Sequence, residues 1–291
     1  METCRFKKRV KETDMKTDKV RAVYFSATGT TAKITEFIAG EISRLICAEY
    51  EITDFTLPSA REESLSFGSN ELVIFGLPVY AGRVPNVLLK YLRKTQGNDA
   101  LAVPVVLYGN RNYDDALIEL RDLLEKGNLH TIAAAAFVGE HSFSDTLAKG
   151  RPDEADMTKA ALFAGDIAAA LKKADGKPLR GPVSVKGSPE PYRGYYQPRD
   201  RKGNPVDILK VKPLTNDSCI DCKLCARICP MGSISFENFR EFTGICIKCG
   251  ACVKKCPVGA KYYEDEGFLY HKRELEEGLP DRAEPELFSA T

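Results

Sequence analysis

The chain has 291 residues, of which 43% are hydrophobic and 29% charged, and its formal net charge is +1. This length suits one ordinary domain and one small one. The near-balanced charge argues against a nucleic-acid partner. No apolar run approaches the roughly 18 residues that span a bilayer, so no membrane partner is expected either.

The first 19 residues are rich in Lys and Arg with scattered acids, and they contain no apolar core. A secretory signal needs such a core, so we predict a disordered lead-in over residues 1–19.

Residues 20–173 alternate apolar strand-like runs with helical stretches. The predicted strands are Val20–Ser26, Tyr50–Phe55, Leu72–Phe75, Val103–Tyr108 and Leu129–Val138. The predicted helices are Thr30–Ile46, Val84–Lys94, Asp114–Lys126 and Glu154–Lys173. This alternation predicts an α/β fold with a doubly wound, five-stranded parallel sheet of order 2-1-3-4-5.

A loop rich in hydroxyls joins the first predicted strand to the first helix. Its residues are Ser26, Ala27, Thr28, Gly29, Thr30 and Thr31. Backbone N–H groups at a helix start, together with hydroxyls, bind a phosphate monoester. The loop has no Lys and no G-x-G-x-x-G pattern, which favours a retained cofactor phosphate over a transferred one and argues against NAD. The alternative is an ordinary helix N-cap, for which one hydroxyl is enough.

Two further loops follow the third and fourth predicted strands. Their candidate residues are Pro78, Val79, Tyr80, Ala81, Gly82, Arg83, Tyr108, Gly109, Asn110, Arg111 and Tyr113. The carboxyl ends of parallel strands meet at one edge of the sheet, where ligands bind. Tyr80 and Tyr113 could stack on a flat ring, and Gly82 allows the backbone to approach it. Together the three loops predict a site for a flavin that carries a phosphate.

Residues 174–212 contain six prolines and five glycines, and Lys177–Lys212 carries nine Lys/Arg against three acids. We predict a Pro/Gly-rich basic linker, which could be a semi-extended tether. The alternative is a strap in which Tyr192, Tyr195 and Tyr196 pack the flanking domains together.

Eight cysteines form two runs with the same spacing, offset by 27 residues, and each run ends in Cys-Pro. The C-x2-C-x2-C-x3-C-P spacing is that of bacterial two-cluster ferredoxins, in which the fourth cysteine of each run ligates the other [4Fe–4S] cluster. The predicted ligand sets are Cys219, Cys222, Cys225 and Cys256 for the first cluster, and Cys246, Cys249, Cys252 and Cys229 for the second. Two zinc sites are the alternative. Gly250, beside Cys249, is expected to let the backbone approach sulfur closely.

This module, predicted over residues 213–263, has a net charge of +3 between Leu214 and Tyr263, from seven Lys/Arg and four acids. A basic face would prefer acidic partners. Residues 264–291 carry nine acids against three Lys/Arg and are predicted to be an acidic C-terminal tail. The tail could be a solvated segment or could fold back onto the basic linker.

The first 173 residues resemble flavodoxins, whose S/T-x-T-G-x-T loop matches Ser26, Thr28, Gly29 and Thr31. The whole chain resembles the flavodoxin–ferredoxin fusion proteins of anaerobes, with further similarity at Glu140-His141-Ser142 and Gly150-Arg151-Pro152-Asp153. The resemblance implies a flavodoxin-like sheet, a small C-terminal α+β ferredoxin domain, FMN, two [4Fe–4S] clusters and electron transfer.

Two further expectations come from this resemblance. Tyr113 stands where flavodoxins place a ring-stacking aromatic. Arg83 and Arg111 stand where flavodoxins tend to be acidic or neutral, and a cation beside the ring would raise the flavin potential.

The first functional hypothesis is a cytoplasmic electron carrier that docks with redox partner proteins, since clustered cysteines outside a disulfide pattern indicate a reducing compartment. The alternative is an FMN-dependent reductase of a quinone, flavin or nitro compound, fed by the clusters. His141 is then the candidate proton donor, although it could be an ordinary loop histidine. A sensor with structural clusters would leave the flavin loops unexplained. We find no acid/base or nucleophile constellation and assign no catalytic residue.

Overall fold

The computed structural model describes residues 17–174, 177, 179, 181–200, 202–208 and 210–289. Most of the predicted lead-in lies outside these residues, and Lys19 already belongs to the first strand.

A mostly parallel sheet forms the centre of the first domain. Its parallel strands are β1 (Lys19–Tyr24), β2 (Glu49–Asp54), β3 (Glu71–Pro78), β4 (Ala100–Tyr108), β5 (Leu129–Thr131) and β6 (Ala133–Val138). β5 and β6 both pair with β4 and together replace the single predicted fifth strand. The observed order β2-β1-β3-β4-β6 confirms the predicted flavodoxin-like topology. β3 and β4 are buried along almost their whole length, as expected for strands covered on both faces.

Helices cover both faces of this sheet. They are α1 (Thr30–Ile46), α2 (Asn86–Leu92), α3 (Ala116–Lys126) and α4 (Glu154–Ala174). In α1 the fully buried Ile34, Ile38 and Ile42 recur every four residues, which places them on one helix face, where they pack with Phe163 and Ile167 of α4. A separate core on the opposite face includes residues of α2 and α3. Among the described residues, no helix is long and apolar enough to cross a membrane.

The predicted linker, residues 174–212, runs along the first domain over much of its length. The buried carboxylate of Asp115 accepts hydrogen bonds from the backbone N–H groups of Ser188 (2.9 Å) and Arg193 (2.7 Å). These bonds fix residues 181–196 against the start of α3. We call this segment the strap. These bonds hold it against the first domain, and the expectation that its tyrosines pack the two domains together stays a prediction.

The cysteine-rich module is small. It has an antiparallel pair of two-residue strands, β7 (Leu214–Thr215) and β8 (Lys261–Tyr262), and two four-residue helices, α5 (Leu224–Arg227) and α6 (Ala251–Lys254). Its own core buries only Ala226, Ile234 and Cys252. Apolar burial on this scale does not stabilise a domain alone, so metal binding is the expected source of its stability.

The predicted acidic tail contributes ordered elements. Helix α7 (Glu266–Gly278) begins with Asp265, whose side chain accepts from the Phe268 N–H. Strand β9 (Glu286–Ser289) then pairs antiparallel with β6 and adds a sixth position to the sheet. Glu286 also forms a 2.6 Å ion pair with Lys186 of the strap. The C-terminal segment thus returns to the first domain and also contacts the basic linker.

Candidate functional site

The loop after β1 leaves donors free at the start of α1. Gly29 precedes the helix with φ +105°, a conformation that favours glycine, and no side chain caps the helix from that position. The Ser26 hydroxyl instead accepts from the Ala32 N–H at 3.0 Å. In the part of the chain that the structure describes, the hydroxyls of Thr28 and Thr30 make no hydrogen bond. One hydroxyl therefore serves the helix, and two remain for an anion. The loop fits a phosphate monoester.

An open cavity of about 430 Å³ lies in front of this loop. Its walls come from three regions of the chain: the loop after β1 and α1, the segment after β6, and the end of α6. The lining residues are Thr28, Gly29, Thr30, Lys33, Glu140, Gly150, Arg151, Pro152, Lys254 and Lys255. Four of these side chains are cationic and one is anionic. Arg151 is paired with the buried Asp156 and Lys254 with Glu140, so Lys33 and Lys255 supply the positive charge that attracts an anion.

The loop after β3 forms a tight turn at the same edge of the sheet. Tyr80 and Arg83 exchange two backbone hydrogen bonds, at 3.0 and 3.1 Å, across Ala81 and Gly82. Both central residues have positive φ, +51° and +77°. The Ala81 carbonyl accepts from the N–H of Tyr196 at 2.8 Å. The strap therefore fixes the tip of this predicted flavin loop.

Arg83 and Arg111 are neutralised within the protein. Arg83 forms a two-pronged ion pair with the buried Glu119, both distances being 2.7 Å, and its guanidinium lies over two tyrosines of the strap. Arg111 pairs with Asp114 and lies over the Tyr196 ring, 4.3 Å from its centroid. Because each charge has a partner, the physical basis for the expected rise in flavin potential is weak.

Asn110, in the loop after β4, binds the C-terminal segment. Its amide nitrogen donates to the carbonyls of Leu279 (3.1 Å) and Asp281 (2.8 Å), and its amide oxygen accepts from the Ala283 N–H (3.0 Å). The side chain is buried, and the backbone has φ +67°. Asn110 was predicted to bind the cofactor, but all these bonds fasten the chain that leads into β9.

Tyr108 and Tyr113 are buried next to each other, with ring centroids 5.5 Å apart. The Tyr113 hydroxyl donates to Glu286 at 2.9 Å, which ties this loop to β9. Burial, and next the Glu286 carboxylate, raise the pKa of Tyr108 to about 12. Both rings belong to the hydrophobic core of the first domain. The stacking of Tyr113 on a flavin stays a prediction.

The remaining predicted residues of these loops are buried in the core, continue the sheet or pack closely against a neighbouring side chain. Ala27 and Thr31 are buried, at 7% and 2% exposure. Pro78 ends β3, and the Val79 N–H donates to the β4 backbone, which continues the sheet. Gly109 lies so close to the His141 ring that a Cβ would collide with it.

His141 is a neutral imidazole at pH 7. Burial, and next the nearby His271, lower the pKa of His141 to about 4. Its Nδ1 accepts from the Phe143 N–H at 3.1 Å, which places the ring proton on Nε2. A partly buried neutral histidine of this kind stabilises the fold only while it stays unprotonated.

This shift predicts a pH-dependent stability. The unfolded chain binds the His141 proton from about pH 6.5 downward, whereas the folded chain binds it only near pH 4. Stability should fall as the pH drops from 6.5 to 4, by about 3 kcal/mol from this group. His141→Asn keeps an acceptor for the Phe143 N–H but does not titrate. Thermal midpoints at pH 7 and pH 5 should therefore differ less in this variant than in the wild type, and equal differences would contradict the assignment.

The eight cysteines surround two cavities. One is lined by Cys219, Cys222, Cys225, Cys252 and Cys256, and the other by Cys229, Cys246, Cys249 and Cys252, so Cys252 lines both. The fourth cysteine of each run thus lies with the first three of the other run, and the assignment of these sets as cluster ligands stays a prediction. Among the described residues, no three His, Cys, Asp or Glu side chains are placed to hold a single metal ion. Thiol-only sets around a cavity suit iron–sulfur clusters.

The fourth cysteine of each run, which lies with the other run's set, accepts a similar backbone hydrogen bond in both cases. Cys229 Sγ accepts from the Ser233 N–H at 3.4 Å, and Cys256 Sγ accepts from the Ala260 N–H at 3.2 Å. Hydrogen bonds to sulfur tune the potential of a cluster. These two bonds are alike in both thiol sets, whereas the wider environment of the sets is not.

That environment differs because one set lies against the first domain. The Arg61 guanidinium donates to the carbonyls of Phe55 (2.8 Å) and Thr56 (2.5 Å) and also to that of Pro230 (2.5 Å). Pro230 directly follows Cys229, a member of the second thiol set. Arg61 therefore links the segment after Cys229 to the residues that follow β2.

The loop after β6 contacts the same side of the module. Lys254 of α6 donates to Glu140 (2.5 Å) and to the carbonyl of Ser144 (2.7 Å). Gly250 has φ +73°, and a Cβ at this position would lie 2.5 Å from the Ser142 carbonyl oxygen. We expected Gly250 to permit a close approach to sulfur, but the close approach in the structure is between Gly250 and the first domain.

Apolar contacts complete this interface. Ile228, Ile247 and Cys249 pack against the core that includes α2 and α3 of the first domain, and Ala251 is buried within that core. Burial, and next the Cys249 thiol, raise the pKa of the Tyr80 hydroxyl. Val79 of the loop after β3 packs against the same core as Cys249, so the second thiol set lies on the side of the sheet where this predicted flavin loop lies.

Sequence reasoning did not identify Arg61, Lys254 or Lys255 as site residues. Their partners in the interface lie far away along the chain, so no local pattern identifies them. One signal was available: the first cysteine run has Lys223 where the second run has Gly250. Both residues have positive φ, so the missing side chain indicates a close neighbour and not a special backbone conformation.

Comparisons with known proteins follow the same division of the chain. A flavodoxin-domain family model matches residues 22–126, and a 4Fe-4S dicluster-domain family model matches residues 218–260. Comparison with curated protein sequences found no match.

Several solved structures are similar to about half of the chain. An archaeal flavodoxin is 16% identical, over 53% of this chain and 99% of that chain, with a TM-score of 0.38. A flavodoxin of Streptococcus pneumonia TIGR4 is 16% identical, over 52% and 99%, also with a TM-score of 0.38. An NADH:FMN oxidoreductase in its apo form is 16% identical, over 56% and 94%, with a TM-score of 0.37.

The two family models correspond to the two parts of the observed structure, a doubly wound sheet with a hydroxyl-rich loop and a module with two thiol sets. Such domains serve electron transfer by flavin and iron–sulfur centres. The chain is a flavodoxin–ferredoxin fusion protein.

Proposed function

We propose that the protein is an electron carrier that passes electrons between FMN, two [4Fe–4S] clusters and redox partner proteins. The observation that carries this proposal is the docking of the second thiol set on the predicted flavin loops. A chain in which the two domains acted separately would need no such interface.

The residues of the first domain would hold the flavin at the carboxyl edge of the sheet. Thr28, Gly29 and Thr30 offer hydroxyls and helix N–H groups to the phosphate. The turn from Tyr80 to Arg83 lies at the same edge of the sheet, where it would border the flavin ring. When bound, FMN exchanges electrons singly or in pairs, and each cluster exchanges one at a time.

The interface residues hold the second thiol set in position and exclude water around it. Arg61 and Lys254 each form hydrogen bonds to both domains. Ala251 is buried between the domains, and Cys249 is partly buried there. A low local dielectric and fixed hydrogen bonds are the means by which a protein sets the potential of a cluster.

The first thiol set faces outward and would serve as the contact point for partners. Cys222 is exposed, and the neighbouring Ile220 is 61% exposed. The module carries a net charge of +3 between Leu214 and Tyr263. We infer that its partners are acidic redox proteins of the cytoplasm, since opposite charge steers such encounters.

The reductase alternative needs a proton donor beside the flavin. His141 is neutral at pH 7, and its Nδ1 is already bonded to the Phe143 N–H. A neutral imidazole is a weak acid, so this residue supports the carrier over the reductase.

Cofactor analysis with an anaerobic reductive titration tests the proposal. The purified protein should contain one FMN and about eight iron atoms with equal inorganic sulfide per chain. During the titration, both the flavin and the cluster absorbance bands should bleach. Zinc without sulfide, or protein without FMN after anoxic purification, would overturn the proposal. Rapid turnover with a quinone would instead favour the reductase.

A further inference from the structure

The cavity in front of the phosphate loop is shared by both domains. Thr28, Gly29 and Thr30 line one side, and Lys254 and Lys255 at the end of α6 line another. A flavodoxin domain alone would leave this side open. The cluster module therefore brings two ammonium groups to the position predicted for the flavin phosphate.

The lysines of this cavity differ in how far they are already bonded. Lys33 donates to the Pro152 carbonyl at 2.6 Å, and Lys254 is held by Glu140 and the Ser144 carbonyl. Lys255 is exposed, and its ammonium group has no hydrogen bond or ion pair with any residue that the structure describes. Lys255 is thus a cation of the cavity that is free to bind a ligand.

A phosphate monoester carries a charge of about −1.5 to −2 at pH 7. Helix N–H groups and threonine hydroxyls supply hydrogen bonds but only a partial positive charge. We propose that Lys255 of the cluster module binds the phosphate of FMN held in the first domain, with Lys254 and Glu140 positioning it. This inference rests on the proposed binding of FMN.

One consequence is thermodynamic coupling between the two domains. If Lys255 contributes to FMN affinity, then bound FMN must stabilise the docked arrangement by the same factor. The flavin would then fasten the second thiol set against the flavin loops. A fused ferredoxin domain would serve as part of the flavin site as well as a carrier.

The test compares ligands with and without the phosphate. The full chain with its clusters, freed of flavin, is titrated with FMN and with riboflavin by calorimetry. Lys255→Met should weaken FMN binding about tenfold, which corresponds to about 1.4 kcal/mol, and should leave riboflavin affinity unchanged. The loss of FMN affinity caused by Lys255→Met should be smaller at high salt concentration, because salt screens the charge interaction. Lys94→Met, at the opposite edge of the sheet, is the matched control and should change neither affinity.

Each outcome has a distinct meaning. Equal FMN affinity in Lys255→Met and wild type, or an equal loss for riboflavin, would overturn the role of Lys255 and leave the proposed function intact. No FMN binding by the wild type would overturn the proposed function itself. Cluster absorbance, recorded for each variant, shows whether the module is still folded.

Discussion

Replacing Gly250 by alanine should separate the cluster module from the loop after β6. The added Cβ would lie 2.5 Å from the Ser142 carbonyl oxygen, and a backbone atom cannot move aside cheaply. The positive φ of +73° adds about 1 kcal/mol of strain for a residue with a side chain. Amide hydrogen exchange in residues 140–148 should accelerate at least about tenfold, since undocking exposes this loop.

The module itself provides a control for the backbone strain. Gly259 has a similar φ of +62°, but a Cβ there meets no atom within 4 Å. Gly259→Ala should therefore lower the thermal midpoint slightly without changing exchange in residues 140–148. Equal exchange in the two variants would show that strain alone, and not the contact with Ser142, explains the effect.

Replacing Asn110 by alanine should destabilise the first domain by about 3–4 kcal/mol. Three hydrogen bonds to the C-terminal segment are lost, each contributing about 1 kcal/mol, and alanine at φ +67° is strained by a further 1 kcal/mol or so. For a protein of this size, the thermal midpoint should fall by about 10 °C.

Asn110→Gly separates these two contributions, because glycine adopts positive φ without strain. This variant should recover about 1 kcal/mol relative to alanine and keep its affinity for FMN. A glycine variant with wild-type stability but much weaker FMN binding would contradict the structural role. It would support the prediction that Asn110 binds the cofactor.

The first domain was predictable because its signals are local. The buried strands are continuous apolar runs, and α1 shows its apolar residues every four positions. Boundaries were less accurate. The predicted helix Val84–Lys94 is observed only over Asn86–Leu92, since Pro85 precedes its first turn. The strand β9 was missed because Glu286–Ser289 is short and lies in an acidic context.

In the candidate site, too, the features encoded in local sequence were predictable and the contacts between distant residues were not. The cysteine spacing defines both thiol sets, because each tight loop is encoded within a few residues. The arrangement of the two domains is encoded in pairs such as Arg61 with Pro230 and Lys254 with Glu140. Each of these residues is unremarkable in its own local sequence. Their pairing exists only after both domains have folded, so sequence patterns could not reveal it.

The rate of electron equilibration between clusters and flavin tests the proposed function most directly. The protein, with FMN and clusters bound, is partly reduced by a rapid pulse, and the flavin and cluster absorbance bands are followed at several protein concentrations. Docking within one chain predicts a rate that does not depend on protein concentration. A rate that rises in proportion to concentration would mean that electrons pass between separate molecules, and it would contradict a functional contact between the second thiol set and the flavin loops.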